Sequence, residues 1–313
     1  MFTNIIVGVD GHPGGRDAIA LAGQLMDPGG QLSLANIHHY DESLSSAIAT
    51  SDPVDELHRK SVQLLERERR AAGIDARLLS EPAPCTGAGL HKLIDTQHAD
   101  LLVLGSCHRG FVGRIFLGDD TRGALDGAAC TVAVAPGGYA NSGRHDAIAV
   151  IGVGYDGSPE SEQALALARQ LAAAYGARIQ ALMVMGIPPT VYMQAEPLGF
   201  GQAAPFASLD TLDAMLGSAN EQIAALADVE GHAVWGLPSE ELTAFSGEVD
   251  LLVLGSRQYG PLQRLMLGST SKHLLRSARC PVLLPTRARV TAESAPAEEE
   301  DLIVREDLES APL

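Results

Sequence analysis

The hexapeptide LLVLGS occurs twice in this chain, at Leu101–Ser106 and again at Leu251–Ser256. When residues 99–136 are aligned without a gap on residues 249–286, 15 of the 38 positions are identical. The identities extend beyond the hexapeptide to the pairs Gly118/Gly268 and Cys130/Cys280. An internal duplication of this length predicts a fold that is built from two copies of one unit.

The composition limits the classes of protein to which the chain can belong. A length of 313 residues predicts two domains, and a hydrophobic fraction of 46% provides each with a core. The formal charge of −17 argues against a nucleic-acid-binding protein, which needs clustered lysine and arginine, and against binding to an anionic membrane. No apolar run is long enough for a membrane span, and no signal peptide is recognised, so the expected location is the cytoplasm.

The cysteines, at positions 85, 107, 130 and 280, show no paired spacing. They predict no disulfide framework. Cys130 and Cys280 stand at equivalent positions just before a terminal apolar strand in each repeat. We expect both to be small buried hydrophobic residues at the strand entrance.

Each repeat opens with an apolar strand, a turn and a helix. Ile5–Val9 is followed by Asp10-Gly11 and by a helical pattern that starts near Pro13. In the second repeat, Ser158 is the expected N-cap, with proline next to it, and Gly176 the expected helix end. Further strands are predicted at 31–37, 76–80, 178–184 and 231–235, and further helices at 54–72, 89–97 and 209–227, with a clipped helix before the second LLVLGS.

Strands that alternate with helices predict two tandem open-sheet domains of Rossmann-like type, each a five-stranded parallel sheet with helices on both faces. The expected boundaries are 1–138 for the first domain, 139–147 for a linker and 148–287 for the second domain. The acidic segment 288–313 is predicted to be disordered, although EDLIVREDL could form a docking helix. The terminal strands TVAVAP and PVLLP are the edges along which the two halves are expected to pair as a pseudo-dimer, and a homodimer of whole chains stays open.

The glycine that ends each LLVLG strand marks a candidate ligand site. In open parallel sheets, ligands bind beyond the carboxyl ends of the strands, where Gly105 and Gly255 lie. A second glycine, Gly118 or Gly268, comes directly before a predicted helix, whose first N–H groups can bind an anion. In repeat 2 the run from Ser269 to Ser271 adds hydroxyl donors. The pattern is a candidate phosphate site, but it lacks the spacing of a Walker loop.

The opening Asp-Gly-Ser-Pro at 156–159, the block LLVLGSRQYGPLQRLMLGSTSKHLLRSARCPVLLP at 251–285 and the tandem arrangement resemble the universal stress protein family. The resemblance extends over residues 3–287. It implies the adenine-nucleotide alpha-hydrolase-like fold, with ATP phosphates held by a glycine pattern G-x2-G-x9-G-[ST]. It further implies an acidic residue against the nucleoside and a backbone position at the end of the second strand against adenine, and hence ATP as ligand, with Mg²⁺.

In repeat 2, most of the family's positions find a match. The implied nucleotide-binding residues are Asp156, Val184, Gly255, Gln258, Gly268, Ser269 and Thr270. Gln258 departs from the pattern, since it stands where the family has its second glycine. A side chain there either fills space that the phosphate needs or adds a polar contact.

In repeat 1, the implied residues are Asp10, Ile37, Gly105, His108 and Gly118, of which His108 replaces the second glycine. Asp119 stands where the family has serine or threonine. A carboxylate at that place repels phosphate unless a cation intervenes. Repeat 2 is therefore the favoured site, and repeat 1 is expected to be partly or wholly degenerate.

Other candidate sites are weaker. His38 and His39 are adjacent on a strand and point to opposite faces, so no metal site is predicted there, and Cys107-His108 has the same defect. His108 near Asp119 and Asp120 is a structural hydrogen-bonding residue of the loop, an acid–base group or part of a Mg²⁺ neighbourhood. Residues 192–206 are either a lid or a disordered insertion. No nucleophile signature is present, and no catalytic residue is predicted.

Three functional hypotheses follow. The first is a nucleotide-responsive stress protein that changes conformation or partner when it binds an adenine nucleotide in repeat 2. The second is a protein-interaction module of the same fold, with degenerate pockets and the acidic tail as contact. The third, an enzyme that carries out ATP hydrolysis or nucleotidyl chemistry beside the strand-ending glycine, ranks last because no general base or metal set is evident.

Overall fold

The computed structural model describes residues 1–39, 52–106, 114–115, 123–142, 148–186, 209–259 and 264–286. Repeat 1 comprises β1 Phe2–Gly8, α1 Pro13–Leu25, β2 Met26–His39, α2 Asp52–Ala72, β3 Arg77–Ala83, α3 Thr86–Gln97, β4 Leu101–Gly105 and β5 Thr131–Ala135. Repeat 2 comprises β6 Val150–Gly154, α4 Pro159–Tyr175, β7 Arg178–Met185, α5 Leu209–Ala224, β8 Val229–Trp235, α6 Pro238–Phe245, β9 Leu251–Leu254, β10 Arg257–Tyr259, β11 Arg264–Met266, α7 Ser269–Ser277 and β12 Val282–Leu284.

Ten strands form one continuous sheet in the order β3-β2-β1-β4-β5-β12-β9-β6-β7-β8. Within each repeat the five strands are parallel, which confirms the predicted fold class. At the centre, β5 and β12 pair antiparallel, with Val282 opposite Val134 and Leu284 opposite Val132. The two strands expected at the edges of the halves therefore lie against each other.

The core consists of two apolar layers, one on each face of the sheet. Consecutive residues of a strand point to opposite faces, and in β1 Ile5 and Val7 belong to one layer and Ile6 to the other. All three side chains are fully buried, because helices cover both faces. Residues of α1 and α4 pack into the first layer, and residues of α3, α6 and α7 into the second.

Several helix ends follow the turn chemistry of the sequence. Ser158 caps α4, since its hydroxyl accepts the N–H of Ser161 at 3.2 Å, and Pro159 occupies the first helical position. Gly176 ends α4 in the left-handed conformation with φ 68°. These three predictions are confirmed.

Some boundaries differ from those predicted. β2 is twice as long as the predicted strand, because it starts directly at the end of α1 and includes the polar turn-forming residues 27–30. α3 starts at Thr86, three residues before its predicted start, and the Cys85 sulfur caps it by accepting the N–H of Ala88. The hairpin β10–β11 was not predicted, because strands of three residues are too short to show periodicity.

The first residues of the expected linker are packed against repeat 1. Tyr139–Asn141 forms a single 3₁₀ turn beside α1. The buried Asp17 carboxylate accepts the N–H groups of Gly138 and Ala140, each at 2.8 Å. Gln24 accepts hydrogen bonds from Tyr139 through its side chain and from Tyr175 of repeat 2 through its backbone carbonyl. α1 therefore holds both the linker and the second repeat.

Cys130 and Cys280 are buried, as predicted, at 4% and 0% exposure. Cys107, residues 192–206 and the segment 288–313 lie outside the described residues. Among the helices that the structure describes, none combines the length and apolarity needed to cross a membrane.

Candidate functional site

A cavity of about 390 Å³ opens at the carboxyl ends of β6, β7 and β9 in repeat 2. The first turns of α4, α6 and α7 complete its walls. Its volume falls within the range that small-molecule sites occupy in proteins. Six residues predicted for repeat 2 line this one cavity, namely Asp156, Val184, Gly255, Gly268, Ser269 and Thr270. The seventh, Gln258, lies in β10 opposite Leu265, and its contact with a ligand stays a prediction.

The turn after β6 holds Asp156 at the cavity wall. The Asp156 Oδ1 atom accepts the Ser158 N–H at 3.0 Å and the Ser158 hydroxyl at 2.5 Å. Gly157 makes the turn possible, because its φ of 75° lies in the left-handed region that favours glycine. Ser158, the N-cap of α4, thus also fixes the direction of the carboxylate.

The charge state of Asp156 follows from these contacts. Partial burial raises the pKa of Asp156, but the hydrogen bonds from the hydroxyl and backbone N–H of Ser158 outweigh it and hold the pKa below its usual range. The carboxylate is therefore ionised at neutral pH and offers its remaining lone pairs as acceptors. It suits a ligand that presents hydroxyl donors.

Gly255 is required by the packing of β9 against α4. A Cβ atom at this position would lie 2.8 Å from the carbonyl carbon of Glu160, closer than real side chains approach. The next residue, Ser256, is buried, and its hydroxyl donates to the Pro285 carbonyl at 2.8 Å. Gly255 therefore has a packing role whether or not a ligand is present.

The segment from Gly268 to Ser271, which we call the cradle, forms part of the cavity wall. Gly268 is the N-cap of α7, and it has no side-chain acceptor for the N–H groups of the first turn. Those N–H groups and the side chains of Ser269, Thr270 and Ser271 can donate to an anion. The geometry thus fits the expected phosphate site.

The remaining walls are apolar or acidic. Leu182, Val184, Leu242 and Leu254 form the apolar part, and Glu160 adds a second acidic residue to the lining. None of the residues that line the cavity in the described part of the chain is a lysine or arginine. A polyanionic ligand would therefore need a cation to balance its charge.

Sequence reasoning missed Tyr155, Leu182, Leu242 and Leu254 as lining residues. Leu182 and Leu254 are late positions of strands that point toward a cavity end, and this signal was available in the alternation along each strand. Leu242 lies on α6, which comes from a distant part of the sequence, so no local pattern could assign it. The Tyr155 hydroxyl donates to Glu162, and that contact, with burial, raises the pKa of Tyr155 to about 12.

Repeat 1 forms the same turn. The contact between the strand-ending glycine and the start of the first helix of a repeat, which we call the glycine corner, is tighter in repeat 1 than in repeat 2. Asp10 accepts the His12 N–H at 3.0 Å, as Asp156 does from Ser158. A Cβ atom on Gly105 would lie only 1.8 Å from the carbonyl oxygen of Gly14, so the backbones of α1 and the strand exit touch. Ile37 packs against Gly89 of α3, where an added Cβ would lie 2.7 Å from it. His108 and Gly118 lie outside the described residues.

His38 and His39 point to opposite sides, since the first is buried and the second exposed. The His38 ring lies 6.3 Å from that of His58, and its Nδ1 atom is 3.4 Å from the Ser80 hydroxyl. Burial and the neighbouring His58 lower the pKa of His38, against an opposing effect of Glu81. In the described ranges, no three His, Cys, Asp or Glu side chains are arranged to hold a metal ion.

The sequence profile of the Universal stress protein family matches residues 1–136 and again residues 148–284. The chain belongs to the universal stress protein family. This confirms the expected family and, with it, the coarse assignment to stress-response proteins.

Relatives of this universal stress protein include both tandem proteins and a protein that matches less than half of the chain. A universal stress protein of Mycobacterium tuberculosis is 26% identical over 292 residues, which are 90% of this chain and 96% of that protein. A universal stress protein of Thermus aquaticus is 32% identical over 132 residues, which are 42% of this chain and 93% of that protein. The crystal structure of a universal stress protein from Archaeoglobus fulgidus is similar in fold, with a TM-score of 0.60 at 19% identity over 91% of this chain and 99% of that one.

Proposed function

We propose that this universal stress protein binds ATP or a related adenine nucleotide, together with Mg²⁺, in the cavity of repeat 2. The observation that carries the proposal is the convergence on one cavity of six residues from four separate parts of the chain. The sequence pattern and its resemblance to the universal stress protein family predict each of the six. A cavity of about 390 Å³ with an apolar wall and a few oriented polar groups suits a small mononucleotide.

The proposed placement follows the chemistry of the walls. The Asp156 carboxylate accepts hydrogen bonds from the ribose hydroxyls, since it is ionised and fixed by Ser158. The N–H groups and hydroxyls of the cradle donate to the phosphates. The end of β7 at Val184 lies against the base.

Mg²⁺ is part of the proposal for an electrostatic reason. Asp156 and Glu160 already place two carboxylates around the cavity, and no lysine or arginine of the described residues lines it. A triphosphate without a divalent cation would add repulsion that the cradle dipoles alone offset poorly. We therefore expect Mg·ATP to bind and ATP in the presence of a chelator to bind much more weakly.

Two measurements test the nucleotide proposal. The first is mass spectrometry of the supernatant from freshly purified, denatured protein, and the second is calorimetric titration of stripped protein with Mg·ATP. Asp156→Ala should weaken binding about tenfold, while Asp10→Ala should leave it unchanged. The pair is matched, because each variant removes the same turn hydrogen bond from one repeat. Equal losses in both variants, or no heat at millimolar Mg·ATP, would contradict the proposal.

The proposed output is a change of conformation or partner rather than turnover. Phosphate release that rises with protein concentration and disappears in Asp156→Ala would instead support the enzyme hypothesis. The alternative function, a protein-interaction module without nucleotide, is favoured by one observation, the acidic cavity lining without cations in the described residues. That alternative predicts no nucleotide-dependent shift of the melting temperature, and loss of partner capture when the chain is cut at Thr291.

We further propose that the two repeats act as an intramolecular pseudo-dimer in the cytoplasm. The antiparallel pairing of β5 with β12 supports the first part, since it satisfies the edge of each half with the other half. Whether whole chains pair in addition is a separate question. Light scattering on the purified protein answers it through the mass in solution.

A further inference from the structure

Residues 126–128 of repeat 1 hold the chain segment that leads into the repeat 2 cradle. The Gly127 N–H donates to the Leu265 carbonyl at 2.9 Å, and the Leu265 N–H donates to the Ala128 carbonyl at 2.9 Å. The Leu267 N–H donates to the Asp126 Oδ1 atom at 3.2 Å. Leu267 immediately precedes Gly268, so the last of these bonds lies one residue from the cradle. The segment that precedes the cradle of repeat 2 is therefore held by hydrogen bonds to repeat 1.

The duplication shows which of these contacts is specific to repeat 2. The backbone bond from Leu265 to Ala128 has a symmetric counterpart, since the Ile115 N–H donates to the Ala278 carbonyl, also at 2.9 Å. The counterpart of Asp126 is Arg276. An arginine side chain has no acceptor, so it cannot receive a backbone N–H. The hydrogen bond that Leu267 donates to Asp126 therefore breaks the pseudo-symmetry on the side of the repeat with the cavity.

The Leu267 N–H needs a hydrogen-bond acceptor because the chain around it is buried. Leu265 and Leu267 are 1% and 5% exposed, so this part of the chain has little access to water. A buried N–H without a partner costs free energy, and a carboxylate is a strong acceptor for it. The acceptor also fixes an amide one residue before Gly268, the N-cap of α7.

We propose that Asp126 is a positioning residue for the phosphate-binding end of the repeat 2 cavity. This inference rests on the proposed nucleotide function. It makes the site a product of both repeats, because one half provides the cavity and the other orients the cradle. Asp126 acts through Leu267 and does not touch the ligand.

A positioning role and a purely electrostatic role of Asp126 predict opposite changes in Mg·ATP affinity when its side chain is removed. If Asp126 influenced the site only through its charge, its removal would reduce repulsion and tighten binding of a phosphate. If it positions the cradle, its removal weakens binding. The two accounts also differ for asparagine, whose amide oxygen can still accept the Leu267 N–H although the charge is gone.

The test compares Asp126→Ala and Asp126→Asn in the full chain, with Asp75→Ala as control. Asp75 is an exposed carboxylate in the turn before β3, so its removal changes the net charge by the same amount. Calorimetry with Mg·ATP should give about tenfold weaker binding for Asp126→Ala, and binding within about threefold of the original chain for Asp126→Asn and Asp75→Ala. Adenosine, which has no phosphates, should bind all four proteins equally.

Hydrogen exchange provides a readout that needs no nucleotide. Protection of the Leu267 amide should fall in Asp126→Ala and persist in Asp126→Asn, with melting temperatures recorded for each variant. Unchanged or tighter Mg·ATP binding by Asp126→Ala would overturn the inference, as would an equal loss of adenosine affinity. Failure of the unaltered chain to bind Mg·ATP would overturn the proposed function itself, and the positioning role with it.

Discussion

The two repeats have the same strand order and the same turn after the first strand, yet their glycine corners differ. In repeat 1, the carbonyl oxygen of Gly14 would lie 1.8 Å from a Cβ on Gly105. In repeat 2, Glu160 stands in the place of Gly14, and the nearest atom to a Cβ on Gly255 is 2.8 Å away. A duplicated backbone therefore does not duplicate a site, since the residues that start the first helix decide how closely it approaches the strand exit.

The side chain two residues after Gly14 or Glu160 also has opposite charge in the two repeats, Arg16 in repeat 1 and Glu162 in repeat 2. Arg16 in repeat 1 reaches away to α2, where its Nε atom donates to the buried Glu68 carboxylate at 2.8 Å. Its counterpart Glu162 in repeat 2 instead accepts the hydroxyl of Tyr155, which lines the cavity. The first helix is thus tied to a neighbouring helix in one repeat and to the cavity wall in the other.

The largest expected effect is a difference between the two corner glycines. Gly105→Ala should lower the free energy of unfolding by about 3 kcal/mol, because backbone atoms of Gly14 occupy the space of the new methyl group. Gly255→Ala should cost about 1 kcal/mol less, since its corner is more open. Urea denaturation measures both. Gly23→Ala is the control: it has nothing within 4 Å, lies within α1 and should stabilise the protein slightly. Equal losses of unfolding free energy in Gly105→Ala and Gly255→Ala would contradict the difference between the two glycine corners.

A smaller loss is expected from Arg16→Ala, at about 1–2 kcal/mol, because the Glu68 carboxylate is 1% exposed and loses a charged donor. Its counterpart Glu162→Ala should change stability by less. The hydrogen bond from Arg16 lowers the pKa of Glu68 against the effect of burial. The depressed pKa stabilises the folded chain above the unfolded carboxyl's pKa, and this stabilisation is lost as the pH falls through the folded value. Stability measured from pH 7 to pH 3 should therefore converge for Arg16→Ala and the original chain; parallel curves would be inconsistent with this ion pair.

Tyr155→Phe should cost about 1 kcal/mol or less, because one hydrogen bond to Glu162 is lost. The pKa of Tyr155 is raised to about 12, so the group stabilises the fold below pH 10 and this contribution disappears as the pH rises through 12. Ultraviolet titration of tyrosinate should lose one group titrating near 12 in the variant. Repeat 1 has Val9 in this place. A tyrosine count unchanged in that pH range would show that Tyr155 titrates elsewhere.

The smallest expected effect is on ligand affinity. Glu160→Gln removes one of the two carboxylates that line the cavity. Under the proposed function it should tighten Mg·ATP binding by about threefold and reduce the dependence on Mg²⁺, since less negative charge surrounds the phosphates. Titrations with and without magnesium measure both effects. Weaker binding would mean that Glu160 contributes to holding the cation.

Sequence alone determined the duplication, the five-stranded parallel halves and the turns at Asp10 and Asp156. These features depend on local chemistry: apolar runs for strands buried on both faces, and Asp-Gly turns before a helix. The glycine pattern also indicated Gly255 and the run from Gly268 to Thr270, because a strand end and the start of α7 meet at one edge of a parallel sheet. Asp156 and Val184 were implied by the resemblance to the universal stress protein family.

Only the tertiary structure decided which glycine corner is less tightly packed, which apolar side chains form the cavity wall and which repeat supports the cradle. The contact of Gly14 with Gly105, the place of Leu242 in the cavity wall and the hydrogen bond that Leu267 donates to Asp126 each depend on residues that are far apart in sequence. Such contacts depend on how helices pack on the sheet and on the antiparallel pairing of β5 with β12. Local propensity has no information about distances of this kind, because they arise when separately formed elements are brought together.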